Sequence, residues 1–301
     1  LDIRLPEDFQ QLVALAAEAD VVIENFLPHQ AIELRIDELR ESAQGAVWVS
    51  VVPTTAATPE ATQPTFDLLA QARSGIMSVT GEPDGPATKV GVPIADVVTG
   101  LFAAVSALTG LFARTPRNGA SIRVPLLESM MSALINQAQG YLASGQAPTR
   151  LGNDHPSIAP YGPVATRDGS VMVAVGTDAQ FLALDGAFHG QIIAHDERWR
   201  RNEFRVTDRD RLREFLESLF ADVSMDECVA ILTSCSVPCA PILDIAEAMS
   251  QRAIANSDFV QEIDSVVGPL LMLATPIEWN GLRPPIRFGP AAQGADNDLL
   301  G

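Results

Sequence analysis

The chain has 301 residues, with 38 acidic against 20 basic side chains and a formal net charge of -18. This charge argues against a nucleic-acid partner, because phosphate binding needs clustered Lys and Arg. The length fits one large domain or two ordinary ones, able to bury a core without a metal or disulfide. Charged residues make up 19% and apolar residues 47%, which predicts surface buried between subunits and therefore an oligomer.

The three cysteines fit neither a zinc site nor the disulfide framework of a secreted protein. We therefore expect a reducing, cytoplasmic location. The sequence begins with Leu1 inside what reads as the end of a strand, so we expect an N-terminal segment to be missing. The longest apolar run, residues 97–113, is short and interrupted by Thr, Gly and Ser. It predicts a buried core helix and no membrane association.

The first half of the chain alternates helical and strand patterns. Apolar positions at helical spacing predict a helix over residues 7–19, followed by a strand at 21–26. A second helix near 39–42 precedes a strand at 47–52, and residues 53–63 form a polar, proline-bearing loop. Helix and strand in alternation predict an α/β fold with a parallel sheet.

The second half begins after predicted helices at 97–113 and 126–144, where the sequence becomes rich in Gly, Pro and Asn. Asp168 and Gly169 predict a hairpin turn that leads into a strand. Further helices are expected near residues 180–188, 208–220 and 225–233. The tail from Gly268 is proline-rich, and we expect it to be irregular and to run back over the first domain. The predicted domains are residues 1–150, 151–250 (linker and small α/β domain) and 251–301 (the returning segment).

Asp96, in the stretch KVGVPIADVVTG, is a single carboxylate at the head of an apolar helix. Position and residue type predict an N-cap that accepts hydrogen bonds from unpaired backbone N–H groups. The positive end of a helix also keeps a carboxylate ionised, which a carboxylate nucleophile requires. Both interpretations remain open on these residues alone.

Other candidate residues have plainer interpretations. His155, in GNDHPSIAPY, is favoured as a structural residue over a general acid or base. Glu128 is expected on a solvated helix face unless a partner lies close in space. The four histidines lack the HExxH spacing, so no metal site is expected. GxGxxG, Walker and GxSxG motifs are absent from the sequence, which disfavours dinucleotide, nucleotide triphosphate and serine-hydrolase sites.

Several stretches together resemble the family III CoA-transferases, a superfamily that includes formyl-CoA transferase, carnitine-CoA transferase and α-methylacyl-CoA racemase. They occur in family order and cover nearly the whole chain. The matching stretches are ADVVIENF (19–26), TFDLLAQARSGIMSVTGEPDGP (65–86), KVGVPIADVVTGLFAAVSAL (89–108), LGNDHPSIAPY (151–161), DGSVMVAVGTDAQF (168–181), SVPCAPI (236–242) and PPIRFGP (284–290).

The resemblance implies a large Rossmann-like domain with a smaller α/β domain, in a homodimer of two interlocked chains. It also implies that the family's opening strand and helix, with part of the CoA pocket, precede Leu1. The implied substrates are coenzyme A, carried as an acyl-CoA, and a small carboxylic acid.

By the same resemblance, Asp96 matches the family's catalytic aspartate. Its implied role is to attack the acyl-CoA carbonyl, form a mixed anhydride and then an aspartyl-CoA thioester, from which the acceptor acid takes CoA. Asn25 and Phe26 match an element that lines the CoA site. Gln71 and Lys89 lie in matched stretches and are further candidates for CoA binding.

Departures from the family pattern leave two alternatives. Racemases carry a catalytic histidine where this chain has Phe66, which favours transfer over an acyl-CoA racemase or epimerase. Glu33 and Gln63 stand where relatives often carry Arg for the CoA phosphates, and Arg35 is the candidate substitute. Each lost charge-assisted contact costs about 1.5 to 3 kcal/mol, so a non-catalytic paralogue with weakened CoA binding is the other alternative.

Overall fold

The computed structural model describes residues 1–55, 57–115 and 119–297. The chain divides into two compact units, Leu1–Asn153 and Asp154–Gly301. Each unit has its own sheet and its own hydrophobic core. The finer division of the second half, into a small domain and a segment that returns to the first domain, stays a prediction.

The first unit alternates helices with parallel strands. Its elements are α1 (Pro6–Glu18), β1 (Val21–Glu24), α2 (Pro28–Glu33), α3 (Ile36–Ser42), β2 (Val47–Val52), a 3₁₀ helix (Pro59–Thr62), α4 (Asp67–Ser74), α5 (Ile76–Val79), α6 (Ile94–Ala113), β3 (Ala120–Pro125), α7 (Leu126–Ser132) and α8 (Ile135–Ser144).

The sheet of the first unit has the order β1-β2-β3, and both strand pairs are parallel. Val47 of the central strand pairs with Val21 on one side and Ala120 on the other. The central strand is buried along most of its length, as a strand covered by helices on both faces should be. The predicted α/β fold with a parallel sheet is confirmed.

Helix α6 packs one face of small residues against this sheet. Ala103, Ala107 and Gly110 are buried there, and Val47 and Val49 of β2 belong to the same core. A Cβ at Gly110 would lie 2.5 Å from Cγ1 of Val47, so helix and strand are in contact at the closest approach that glycine permits.

The opposite face of α6 is apolar and exposed, which corrects the prediction of a buried core helix. Among the described residues, α6 alone is long and apolar enough to cross a membrane, and 28% of that stretch is buried. The buried part packs on the sheet, which is the pattern of a core helix with one uncovered side.

Glu128, in the first turn of α7, connects that helix to the chain that follows β2. Its Oε1 accepts hydrogen bonds from Thr54 Oγ1 at 2.8 Å, Thr55 N at 2.9 Å and Thr55 Oγ1 at 2.8 Å. Burial acts to raise the pKa of Glu128, but these hydrogen bonds outweigh it and hold the pKa below its ordinary value. The solvated-face interpretation of Glu128 is therefore wrong.

The second unit combines an antiparallel sheet (β4-β5-β6) with helices and a separate hairpin (β7-β8). Its elements are β4 (Tyr161–Ala165), β5 (Ser170–Ala174), α9 (Asp178–Ala187), α10 (Gln191–His195), a 3₁₀ helix (Glu197–Arg200), α11 (Asn202–Thr207), α12 (Arg209–Phe220), α13 (Met225–Ser234), β6 (Cys239–Pro241), α14 (Ile245–Ser250), α15 (Arg252–Ala255), β7 (Val260–Ile263) and β8 (Leu270–Leu273).

The core of the second unit contains a buried cation. Arg205 is 0% exposed and donates to the carbonyls of Ala159 and Trp199 and to the carboxylate of Asp178. Its guanidinium also lies 4.3 Å from the ring centroid of Phe181. Each guanidinium nitrogen of Arg205 therefore has an acceptor, as burial of an arginine requires.

Several regions differ from the sequence-based expectations, among them α4 and β3, which were not predicted. Helix α2 was not predicted, and the predicted helix over 126–144 is broken into α7 and α8. The tail from Gly268 was expected to be irregular, but it begins with strand β8, paired antiparallel with β7. Ala56 of the predicted loop and residues 298–301 of the predicted tail lie outside the described residues.

We expect Gly110→Ala to destabilise the first unit by about 1 to 3 kcal/mol, because the added methyl group overpacks the contact with Val47. Gly100→Ala, on the same helix with no atom within 4 Å of its Cβ position, is the matched control. It should stabilise by roughly 0.5 to 1 kcal/mol through helix propensity. Urea unfolding measures both, and equal effects would contradict the close approach.

We expect Glu128→Ala to lower the free energy of unfolding by about 2 kcal/mol, because three donors lose their acceptor. Urea unfolding measures this loss.

Glu128→Gln keeps an acceptor oxygen and removes the negative charge, so it tests what the charge contributes to stability. Since folding lowers the pKa of Glu128, its charge contributes stability above the ordinary glutamate pKa of about 4.3, and that contribution is lost as pH falls toward the folded value. Unfolding free energies of wild type and Glu128→Gln should converge on acidification; a constant difference would contradict this.

Candidate active site

The carboxyl ends of the parallel strands, where α/β folds bind ligands, carry the first group of predicted site residues. Asn25 and Phe26 directly follow β1. Asn25 is exposed, whereas Phe26 is half-buried and packs against the core formed by α1, α3 and β2. The backbone N–H of Phe26 donates to Glu24 Oε2 at 2.9 Å, which links this residue to the end of the strand.

Asp96 is the third residue of α6, and its side chain is exposed. The N-cap of this helix is Pro93, which provides no side-chain cap. The prediction that Asp96 is the N-cap is therefore wrong. Burial of part of the carboxyl and, second, the charge of Asp67 raise the pKa of Asp96 above its ordinary value.

Asp67, the first residue of α4, provides the side-chain cap that was predicted at Asp96. Its Oδ1 accepts from the backbone N–H of Ala95 at 2.8 Å, although the two residues are 28 positions apart. Its Oδ2 accepts from Gln71 Nε2 at 2.7 Å. One of the two neighbouring carboxylates is thus occupied by backbone and amide donors, and the other is left available.

Gln71 is 0% exposed, and its amide is used within the first unit. Besides its bond to Asp67, its Oε1 accepts from the backbone N–H of Val90 at 2.8 Å. A contact with CoA, predicted from the sequence for Gln71, stays a prediction. Lys89, the neighbour of Val90, is exposed, and its Nζ donates to the Val90 carbonyl at 3.3 Å.

Arg35 lies between α2 and α3 in the left-handed conformation, with φ of 53°. Its guanidinium carbon is 3.6 Å from the ring centroid of Phe9, and its Nε lies 3.6 Å from Glu38 Oε2. The side chain remains exposed, as do Glu33 and Gln63. Arg35 is therefore held on an aromatic face while its charge faces solvent.

His155, in the second unit, has contacts that support the structural interpretation. Its Nδ1 accepts from the backbone N–H of Ser157 at 3.2 Å, and its carbonyl accepts from Arg209 Nη1 at 3.1 Å. Its ring lies 5.2 Å from that of Tyr161. The neighbouring Asp154 is bound by Arg213, so the start of this loop is anchored on α12.

The described residues show no metal site, and the buried thiol of Cys228 is not activated. Across those ranges, no group of three or more His, Cys, Asp or Glu side chains is arranged to hold a metal ion. Cys228 is buried, and burial, followed by the nearby Cys239, raises the pKa of its thiol to about 11. Such a thiol is not ionised at neutral pH.

Asp67 was not predicted as a site residue. The helix with Asp96 was predicted because an apolar run of 17 residues is a local signal. The bond between Asp67 and Ala95 depends on how α4 packs against α6, and residue type alone does not report such packing.

Comparison with known proteins gives consistent matches. The succinate–glutarate CoA-transferase of Agrobacterium fabrum is 32% identical over 300 residues, covering 96% of this chain and 74% of that protein. The succinyl-CoA:mesaconate CoA-transferase of Haloarcula hispanica is 30% identical, covering 88% of this chain and 68% of the relative. A solved CaiB/BaiF family protein from Brucella suis is 33% identical with a TM-score of 0.79, covering 94% of this chain and 74% of that one.

The extent of these matches defines what they establish. The chain spans between 64% and 74% of the length of the first four curated relatives. The activity and the substrates of the whole protein are therefore proposed below. The sequence matches the family described as CoA-transferase family III over residues 1–297. The predicted family and the predicted class of enzyme are confirmed: this chain belongs to CoA-transferase family III.

Proposed function

We propose that the protein transfers CoA from an acyl-CoA donor to a carboxylic acid, with Asp96 as the nucleophile. The observation that carries this proposal is the position of Asp96 at the amino end of α6, exposed, while the adjacent Asp67 is occupied by Ala95 and Gln71. A nucleophile has to be reachable and not already bonded. Of these two carboxylates, Asp96 meets that requirement.

The proposed chemistry divides CoA exchange into acyl transfers. A carboxylate oxygen of Asp96 attacks the thioester carbon, the bond to sulfur breaks, and CoA leaves as a thiolate. The thiolate then attacks the Asp96 carbonyl of the mixed anhydride and releases the donor acid, which leaves an aspartyl-CoA thioester. The acceptor acid repeats these steps in reverse and regenerates the carboxylate.

The surroundings of Asp96 suit both the attack by its carboxylate and the tetrahedral intermediates that follow. The amino end of α6 carries partial positive charge, which stabilises the oxyanions of the tetrahedral intermediates. The raised pKa of Asp96 makes the carboxylate a stronger base than an ordinary aspartate and therefore a better nucleophile in its ionised form.

We propose Asn25, Phe26, Arg35 and Lys89 as contacts of CoA, and a small dicarboxylic acid as the first acceptor to test. The relatives named above act on succinate, glutarate or mesaconate according to their names, which supports the choice of acceptor. Both relatives are named as CoA-transferases, which favours CoA transfer over racemisation as the reaction of this protein. Titration with CoA separates an active transferase from a non-catalytic paralogue.

Incubation of the full-length protein with an acyl-CoA should give a covalent adduct on Asp96, found by mass spectrometry of the peptide that carries it. Asp96→Asn should abolish the adduct and transfer activity, because an amide is a poor nucleophile. Asp84→Asn, at another exposed carboxylate of the first unit, is the control and should react as wild type. An adduct that survives Asp96→Asn, or none in folded wild type, would sink the proposal.

We propose that the protein is a homodimer in which a second copy covers the exposed face of α6. Leu101, Val105, Leu108 and Phe112 form a stripe at helical spacing with exposures of 64%, 59%, 66% and 96%. Water contact with a row of this kind is unfavourable.

The expected mass in solution is that of a dimer, and Leu101→Glu with Leu108→Glu should shift it toward the monomer. Ile32→Glu, equally exposed on α2, should not. A wild-type monomer would overturn the proposal.

A further inference from the structure

We propose that Gln71 is a positioning residue, which acts with Asp67 as a clamp on the segment that presents Asp96. This inference rests on the proposed function of Asp96. The Asp67–Gln71 clamp is defined by these two side chains and the backbone groups that they hold. In this proposal Gln71 positions the backbone next to Asp96 and does not bind CoA.

The clamp holds the chain at two points on the approach to α6. Gln71 Oε1 accepts from Val90 N at 2.8 Å, and Asp67 Oδ1 accepts from Ala95 N at 2.8 Å. The two side chains are joined by the bond from Gln71 Nε2 to Asp67 Oδ2 at 2.7 Å. Nε2 also lies 3.4 Å from the Val92 carbonyl. Residues 90–95 are therefore tied to one helix, α4, immediately before the nucleophile.

Ala95 is the residue through which the clamp acts on Asp96. It is 0% exposed and packs with Ala70 of α4 and Met130 of α7. Its N–H is held by Asp67, and its carbonyl accepts from the buried Thr99 hydroxyl at 2.7 Å. Both hydrogen-bonding groups and the side chain of Ala95 are fixed, so the Cα of the next residue, Asp96, has little freedom.

The polarity of the clamp matters because the clamp is partly buried: Gln71 is 0% exposed and Asp67 is half-buried. A donor that faces a donor, or a carboxylate that faces a carboxylate, is costly where solvent has little access. Asp67→Asn places an amide N–H against Gln71 Nε2, and rotation of the Gln71 amide only moves the conflict to Val90 N–H. Gln71→Glu places two carboxylates against each other. Each single change breaks one connection of the clamp.

The double variant D67N/Q71E restores the three short bonds of the clamp and gives up the longer contact of Nε2 with the Val92 carbonyl. The amide oxygen at position 67 accepts from Ala95 N–H, and its nitrogen donates to the new carboxylate at position 71. That carboxylate also accepts from Val90 N–H. The total charge equals that of wild type, so the double variant separates the bonding pattern from the amount of negative charge near Asp96.

The test measures adduct formation on Asp96 at saturating acyl-CoA in the full-length protein, together with CoA affinity and thermal stability. Displacing a reacting group by about 1 Å can cost a factor of about 100. We expect D67N and Q71E each to slow adduct formation per folded molecule at least about tenfold, with CoA affinity unchanged. D67N/Q71E should recover most of the rate, and Arg73→Gln, exposed on the same helix, should match wild type.

The outcomes distinguish the two proposals. No adduct in wild type would contradict the proposed function. An adduct in wild type that forms at the same rate in folded D67N and Q71E, or weakened CoA affinity with an unchanged rate, would overturn the clamp. If the single variants do not fold, D67N/Q71E carries the test: a rate near that of wild type supports the clamp, and a slow, folded double variant overturns it.

Discussion

The contact of α6 with the central strand β2 is the constraint on which the first unit depends. Gly110 brings the helix so close to Val47 that no side chain fits between them. The small residues Ala103 and Ala107 continue this contact along the helix. Because the helix axis is fixed against the sheet, the position of its amino end is fixed too, and Asp96 lies in the first turn at that end.

Two carboxylates near that end have different surroundings, and the roles that we propose for them differ accordingly. Asp67 receives a backbone N–H and an amide N–H, whereas Asp96 is exposed and partly desolvated. The charge of Asp67 contributes to the raised pKa of Asp96. The difference in surroundings follows from which carboxylate the helix backbone uses.

Local patterns in the sequence predicted much of the first unit. The six residues of β2 and the last residue of α6 agree with the predicted limits, because apolar runs and the residues that flank them are local signals. The position of Asp96 at a helix start was also predicted. Its role as N-cap was wrong because the cap comes from Asp67, on another helix. The exposed face of α6 and the partners of Glu128 were missed because both depend on what packs against a residue.

The family resemblance contributed what local patterns cannot, namely the chemistry expected of Asp96. The structure adds that this residue is exposed, whereas the carboxylate of Asp67 is bonded to the Ala95 N–H and to Gln71. For Gln71, a matched stretch suggested a contact with CoA, which stays a prediction, and the structure adds a buried amide with its donors and acceptor in use.

Transfer of a heavy oxygen isotope from the acceptor acid to the enzyme tests the central claim most directly. If Asp96 carries the acyl group as a mixed anhydride, the bridging oxygen of a labelled acceptor remains on Asp96 when the new acyl-CoA departs. Mass spectrometry after many turnovers should then find the label in the Asp96 side chain. Active enzyme whose Asp96 stays unlabelled would contradict the account.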